Sequence, residues 1–233
     1  MMFSRTIALT IVAAFAVACS AFAADPGITL KKGDRIVFLG DSITQAGVGE
    51  KGYVTLIKNT LAEKHKDLGI EIIGAGISGN KVPDLQKRLQ KDVLDQKPTI
   101  VVIYIGINDV WHGQDDPAKG TSKEKFEAGL KEIIGKIQDA KGQVLLCTPS
   151  VIGEKTDGKN KNDAKLDEYA DISRAVAKEL KIPVCDLRKA FQDYLKDKND
   201  KNAEKGVLTG DGVHLNEAGN KFVAETILKF LGD

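Results

Sequence analysis

Residues 99–109 read TIVVIYIGIND, and the first seven of them decide the fold. Apolar side chains fill both faces of this short run, with no polar alternation. An extended segment of that kind is buried on both sides, as in a parallel sheet covered by helices. Outward from it the same unit recurs. Residues 35–39 form an apolar run ended by Gly40, residues 70–73 one closed by Gly74, residues 144–147 one stopped by Pro149, and residues 183–186 a fifth.

Between these runs the apolar period changes to that of a helix. Tyr53, Ile57 and Leu61 mark one face, and Val82, Leu85, Leu89 and Val93 another. Thr121 and Glu124 read as a capping box ahead of Phe126, Leu130, Ile133, Ile134 and Ile137. Leu166, Tyr169, Val176 and Leu180 follow, then a short helical stretch at 190–195. A last helix starts near Asn216 and buries Phe222, Val223, Ile227, Phe230 and Leu231. Strands alternating with helices predict an α/β protein with one doubly wound parallel sheet. No linker or repeat divides it. Two polar segments, 153–165 and 196–205, read as mobile loops at the ligand-binding end of the sheet.

Composition narrows the class. The 233 residues carry 34 Lys and Arg against 33 Asp and Glu, a balance that argues against a nucleic-acid partner held by a basic surface. With 42% hydrophobic residues the chain is neither disordered nor a multispan membrane protein. Three Cys are too few for a disulfide scaffold, and three His leave little for a histidine-rich metal site. Arg5 is the lone charge in residues 1–24, an apolar run covers 7–18, and Ala21-Phe22-Ala23 ends it. This is a secretory signal pattern, so residues 1–23 are expected to be removed and 24–233 to form the domain, placing the protein in the periplasm or outside the cell. Ala16-Val17-Ala18-Cys19 offers a rival lipoprotein site. The remaining Cys147 and Cys185 lie at strand ends, and two buried free thiols are expected, because a bridge between neighbouring parallel strands is geometrically awkward.

Four polar clusters stand at the ends of the first three strands and before the last helix. Gly40-Asp41-Ser42-Ile43-Thr44 follows the first strand and offers a hydroxyl nucleophile. Asp211-Gly212-Val213-His214 precedes the last helix, and an Asp three positions before a His can orient its ring as a base. Gly106-Ile107-Asn108-Asp109 brings an amide that could hold a developing oxyanion. Gly76-Ile77-Ser78-Gly79-Asn80 brings a glycine-rich backbone to the same end. Singly, each reads equally well as a turn or a helix cap. Asp41 and Asp109 are expected to hold backbone rather than to react.

In chain order these blocks resemble the SGNH hydrolases, the GDSL esterase and lipase family. Gly40-Asp41-Ser42 is similar to the nucleophile block, with Ile43 where the family often has Leu. Gly79, Asn108 and Asp211 with His214 are similar to the other three. The resemblance spans the chain from first strand to last helix. It implies a flavodoxin-like three-layer α/β/α fold with five parallel strands and ester hydrolysis without cofactor or metal. It further implies Ser42, His214 and Asp211 as catalytic residues, and an oxyanion hole from Ser42, Gly79 and Asn108.

The substrate is less legible. The loop 153–165 has one apolar residue, Ala164, and so no greasy lid. That favours a soluble ester with a short acyl group. Trp111 and His112 are expected to line the rim, the indole either stacking on a sugar or packing on its own loop. The expectation is a short-chain esterase acting on O-acetylated carbohydrate, with a lysophospholipase or thioesterase as alternative. Two further readings are a metal-dependent hydrolase built on Asp41, Asp109, Asp211 and His214, and a glycan-binding module without turnover. A dinucleotide site is excluded, because Gly47 and Gly49 come too late for a phosphate-binding turn.

Overall fold

A computed structural model describes residues 27–232. The proposed signal segment lies outside the described residues. Five strands form one parallel sheet: β1 (Arg35–Gly40), β2 (Glu71–Gly76), β3 (Ile100–Tyr104), β4 (Gln143–Cys147) and β5 (Val184–Cys185), in the order β2-β1-β3-β4-β5. Every residue of β3 is buried, as its two-sided apolar pattern requires. Burying each Val or Ile there contributes roughly 1.5–3 kcal/mol before entropy is counted.

The helices are α1 (Ser42–Gly47), α2 (Tyr53–Lys64), α3 (Val82–Asp92), α4 (Ile107–Trp111), α5 (Lys123–Asp139), α6 (Asp163–Leu180), α7 (Leu187–Lys198) and α8 (Glu217–Leu228). The chain winds one way from β1 to β2 and the other way from β2 through β5. Right-handed crossovers therefore send the intervening helices to opposite faces. Accordingly α2 packs against α8 and α7 against α8, whereas α3 packs against α5 and α5 against α6. The result is the three-layer α/β/α sandwich. The winding reverses between β1 and β3, and the carboxyl ends of those strands open a crevice where such sheets bind ligands.

Some local expectations are corrected. β2 runs on to Gly76 instead of stopping at Gly74, because Gly74 and Gly76 pair in register with Phe38 and Gly40. A Cβ on Gly76 would sit 2.1 Å from the backbone nitrogen of Gln45, so glycine here lets α1 lie against the strand. Helix α5 is capped by Ser122, whose hydroxyl accepts from the Lys125 amide, and not by Thr121. The short helix expected at 190–195 extends over the 12 residues of α7. Cys147 and Cys185 are both buried and unbridged, as expected, and face each other in the register of β4 and β5. Among the described residues, no helix is long and apolar enough to cross a membrane.

Candidate active site

The site is built on the turn that leaves β1. Asp41 caps α1, its Oδ1 accepting from the Ile43 amide at 2.9 Å, and Ser42 is the first residue of that helix. Ser42 Oγ lies 2.9 Å from His214 Nε2. His214 Nδ1 lies 2.7 Å from Asp211 Oδ2. The three side chains thus form one line of hydrogen bonds, drawn from two segments 172 residues apart. Asp211 Oδ1 accepts from the amides of Val213 at 2.9 Å and His214 at 2.7 Å, so one carboxylate folds the loop and contacts the ring together. Burial raises the Asp211 pKa somewhat, but the bonds from the His214 ring and from the two amides outweigh it and hold Asp211 down to about 2. It is an anion at neutral pH.

The block after β2 docks on the same end of the sheet. Ile77 N donates to Gly40 O at 3.2 Å, Ser78 N to Gln45 Oε1 at 2.7 Å, and Asn80 N closes a turn on Ile77 O at 3.2 Å. Gly79 sits in that turn at φ +76°, a conformation that leaves little room for any other residue type. Asn108 is buried in the first turn of α4, and its Nδ2 donates to Asn80 O at 3.1 Å. An amide nitrogen carries two hydrogens, so this bond occupies one and leaves one to give.

Arg88 was not singled out by the sequence. From α3 its guanidinium donates to Asn80 Oδ1 at 2.7 Å, Ala75 O at 2.9 Å and Gly40 O at 2.8 Å, and it pairs with Asp92 at 3.0 Å. It ties the ends of β1 and β2 together beneath the site. Its signal in the sequence, one Arg on an amphipathic helix, does not differ from that of a solvated charge.

Trp111 is 37% exposed, with its ring 6.5 Å from that of His214 and 6.4 Å from that of His112. His112 in turn approaches Gly79, its Cε1 3.9 Å from where a Cβ on that glycine would stand. Burial, with help from nearby Lys81, lowers the His112 pKa, which favours its neutral form. A cleft of about 330 Å³ opens beside Asp211, bordered by Trp111, Gln114, Asn160, Asn162 and Gly212. His65 caps the C-terminus of α2 and is half-buried.

Asp41 and Asp109 are buried behind this surface. Asp109 Oδ1 accepts from the Val82 amide at 3.1 Å. Burial pushes Asp41 up to about 7 and Asp109 up to about 6. Among the described residues, no three His, Cys, Asp or Glu side chains gather where they could hold a metal ion. The four residues considered for a metal centre therefore do not form a ligand set.

The model of the GDSL-like lipase/acylhydrolase family matches residues 38–222. The chain belongs to that family. It is accordingly a carboxylic ester hydrolase. An acetylxylan esterase from Geobacillus stearothermophilus is 33% identical over 215 residues, covering 86% of this chain and 94% of that one. A solved acetyl xylan esterase superposes with a TM-score of 0.81 at 45% identity, covering 84% of this chain and 98% of the other. Solved forms of the Geobacillus enzyme with a serine, an aspartate or a histidine changed to alanine are described as catalytic mutants, and the last two positions are three apart. An isoamyl acetate-hydrolysing esterase homologue from Rattus norvegicus is 26% identical over 205 residues, covering 81% of this chain and 78% of that one.

Proposed function

We propose that the protein removes short acyl groups, above all acetyl groups on carbohydrate hydroxyls, with Ser42 as nucleophile. The observation that carries this reading is the hydrogen-bonded line from Ser42 Oγ through His214 to Asp211 Oδ2, at 2.9 Å and 2.7 Å. A serine hydroxyl reacts only when a base takes its proton, and a base works best when a carboxylate fixes its tautomer.

In this mechanism Ser42 Oγ attacks the ester carbonyl while His214 Nε2 takes the hydroxyl proton. The resulting oxyanion accepts from the backbone N–H groups of Ser42 and Gly79 and from the second hydrogen of Asn108 Nδ2. The C–O bond to the alcohol then breaks, and His214 returns the proton to that oxygen. Water repeats the sequence on the acyl-serine, releasing carboxylic acid and free Ser42. Asp211 stays ionised and holds the imidazolium.

The acetyl-carbohydrate assignment rests on relatives whose names specify acetylxylan and on the makeup of the cleft. Its lining is mostly polar, with three carboxamides and the charges of Lys155, Lys159, Lys161 and Glu204 beside one indole, and suits a hydroxyl-rich sugar better than a fatty chain. Residues 24–233 are proposed as the mature domain, exported by the segment before them, which would bring the enzyme to a polymer outside the cytoplasm.

Acetylated xylo-oligosaccharides and the p-nitrophenyl esters of acetate, butyrate and decanoate test this reading. Acetate release from the sugar, with kcat/KM falling as the acyl chain lengthens, is the expected result. A preference for decanoate with no release from the sugar would contradict it and move the assignment to a lipid-type acylhydrolase.

A further inference from the structure

Glu154 has no part in the chemistry above, yet it is completely buried. A carboxylate out of water is costly unless its lone pairs are filled. Here they are. Val207 N donates to Oε2 at 2.8 Å, and Leu208 N, Thr209 N and Thr209 Oγ1 donate to Oε1 at 2.7, 2.6 and 2.8 Å. Three successive amides and a hydroxyl thus converge on one side chain from a segment more than fifty residues away.

That segment is the base of the loop carrying Asp211 and His214. Thr209 pairs with Leu215 in an antiparallel bridge, and Gly210 N donates to His214 O at 2.8 Å, so residues 209–215 form a tight hairpin. Thr209 Oγ1, while donating to Glu154, accepts from Gly212 N at 3.1 Å between the two catalytic positions. The backbone around Glu154 adds a second attachment. Gly153 N donates to Gly212 O at 2.8 Å, Glu154 N to Glu204 O at 2.9 Å, and Asn199 Nδ2 to Glu154 O at 2.7 Å. The loops after β4 and α7, expected to be mobile, are held together by these bonds.

We infer that Glu154 is a positioning residue: through Thr209 it fixes the hairpin that sets His214 against Ser42. The inference rests on the Ser42–His214–Asp211 reading. Its physical basis is that a rigid base is needed where an ångström of misplacement can cost about 10²-fold in rate. The cleft beside Asp211 is bordered by these same loops, at Gly153, Lys155, Glu204, Gly212 and Val213, so the clamp is read in the turnover of a small ester, and KM is free to change with it.

The test uses the full chain with Glu154→Gln, Thr209→Val and Thr209→Ser, beside Ser42→Ala. A glutamine at 154 points an N–H₂ at one of the converging donors. Valine at 209 keeps the shape and loses the hydroxyl, and serine keeps the hydroxyl. Three quantities are read: kcat and KM on p-nitrophenyl acetate, the rate at which a fluorophosphonate modifies Ser42, and the melting temperature.

The expected result is a fall in kcat of roughly 10²-fold for Glu154→Gln and roughly tenfold for Thr209→Val. Phosphonylation should slow in step, and Thr209→Ser should recover most of the loss. If Glu154→Gln does not fold, the Thr209 pair decides. Folded variants whose kcat and phosphonylation rate stay within about twofold of wild type would overturn the clamp, as would a rise in KM at constant kcat. Turnover by Ser42→Ala would overturn the clamp and the reading beneath it together. An inactive Ser42→Ala beside unaffected Glu154 and Thr209 variants would overturn the clamp alone.

Discussion

Asp211 meets His214 with both of its carboxylate oxygens: Oδ2 contacts ring Nδ1 at 2.7 Å, and Oδ1 accepts the residue's own amide at 2.7 Å. The two jobs are separable. An asparagine can keep its carbonyl oxygen on the amides of Val213 and His214 while presenting N–H₂ to Nδ1. That leaves the loop folded but enforces the wrong imidazole tautomer. Asp211→Asn is therefore expected to lower kcat by about 10⁴-fold with little change in melting temperature. Steady-state kinetics and a thermal melt on the same preparation check both halves.

Asn108 makes a different kind of contribution. Its Nδ2 already holds Asn80 O at 3.1 Å, and the proposed role uses its other hydrogen. Asn108→Ala should reduce kcat by on the order of 10²–10³-fold, the usual loss for one oxyanion donor, with KM nearly constant. A loss confined to KM would assign Asn108 to substrate binding instead.

Two buried carboxyls predict how stability depends on pH. The folded-state pKa values of Asp41, about 7, and Asp109, about 6, lie above the ordinary 3.8 because burial disfavours the anion. Between pH 4 and 7 the folded protein therefore binds more protons than the unfolded chain, and stability falls as pH rises through that window. Asp211 and His112 have the opposite sign: the Asp211 contribution is lost only as pH drops toward 2, outside the window, whereas the lowered His112 offsets part of the fall inside it. Denaturant melts at pH 5 and pH 8 should show greater stability at pH 5, by on the order of a few kcal/mol. Asp41→Asn should flatten most of that slope. Equal stability at both pH values in the wild type would contradict it.

Chelation separates this account from the metal-dependent alternative. Activity on p-nitrophenyl acetate should be unchanged after prolonged treatment with EDTA. Loss on chelation, restored by a divalent ion, would favour the alternative.

What the sequence revealed follows from which contacts leave a pattern in it. β3 was legible because its two buried faces admit only apolar residues. The blocks holding Ser42, Gly79, Asn108, Asp211 and His214 stood out only as an ordered set resembling a family, since each alone reads equally well as a turn or a helix cap. β2 was cut short because Gly74 and Gly76 read as breakers, and only the packing of α1 and Val48 shows why they are small. Ser122 and Thr121 are both good caps, and the choice between them is made by the tertiary fold. Glu154 was illegible because its partners are mostly backbone groups, which every residue has, so no complementary side chain marks it in the sequence. Arg88 was illegible because its one patterned partner, Asp92 four residues on, reads as an ordinary helix-surface ion pair, while its bonds to Asn80, Ala75 O and Gly40 O are made by the fold.

The most direct test of the central claim is turnover of p-nitrophenyl acetate by Ser42→Ala beside the wild type, with circular dichroism to verify the fold. The account predicts a folded protein with kcat reduced by about 10⁴-fold or more. A folded Ser42→Ala that turns over the ester at the wild-type rate would contradict it.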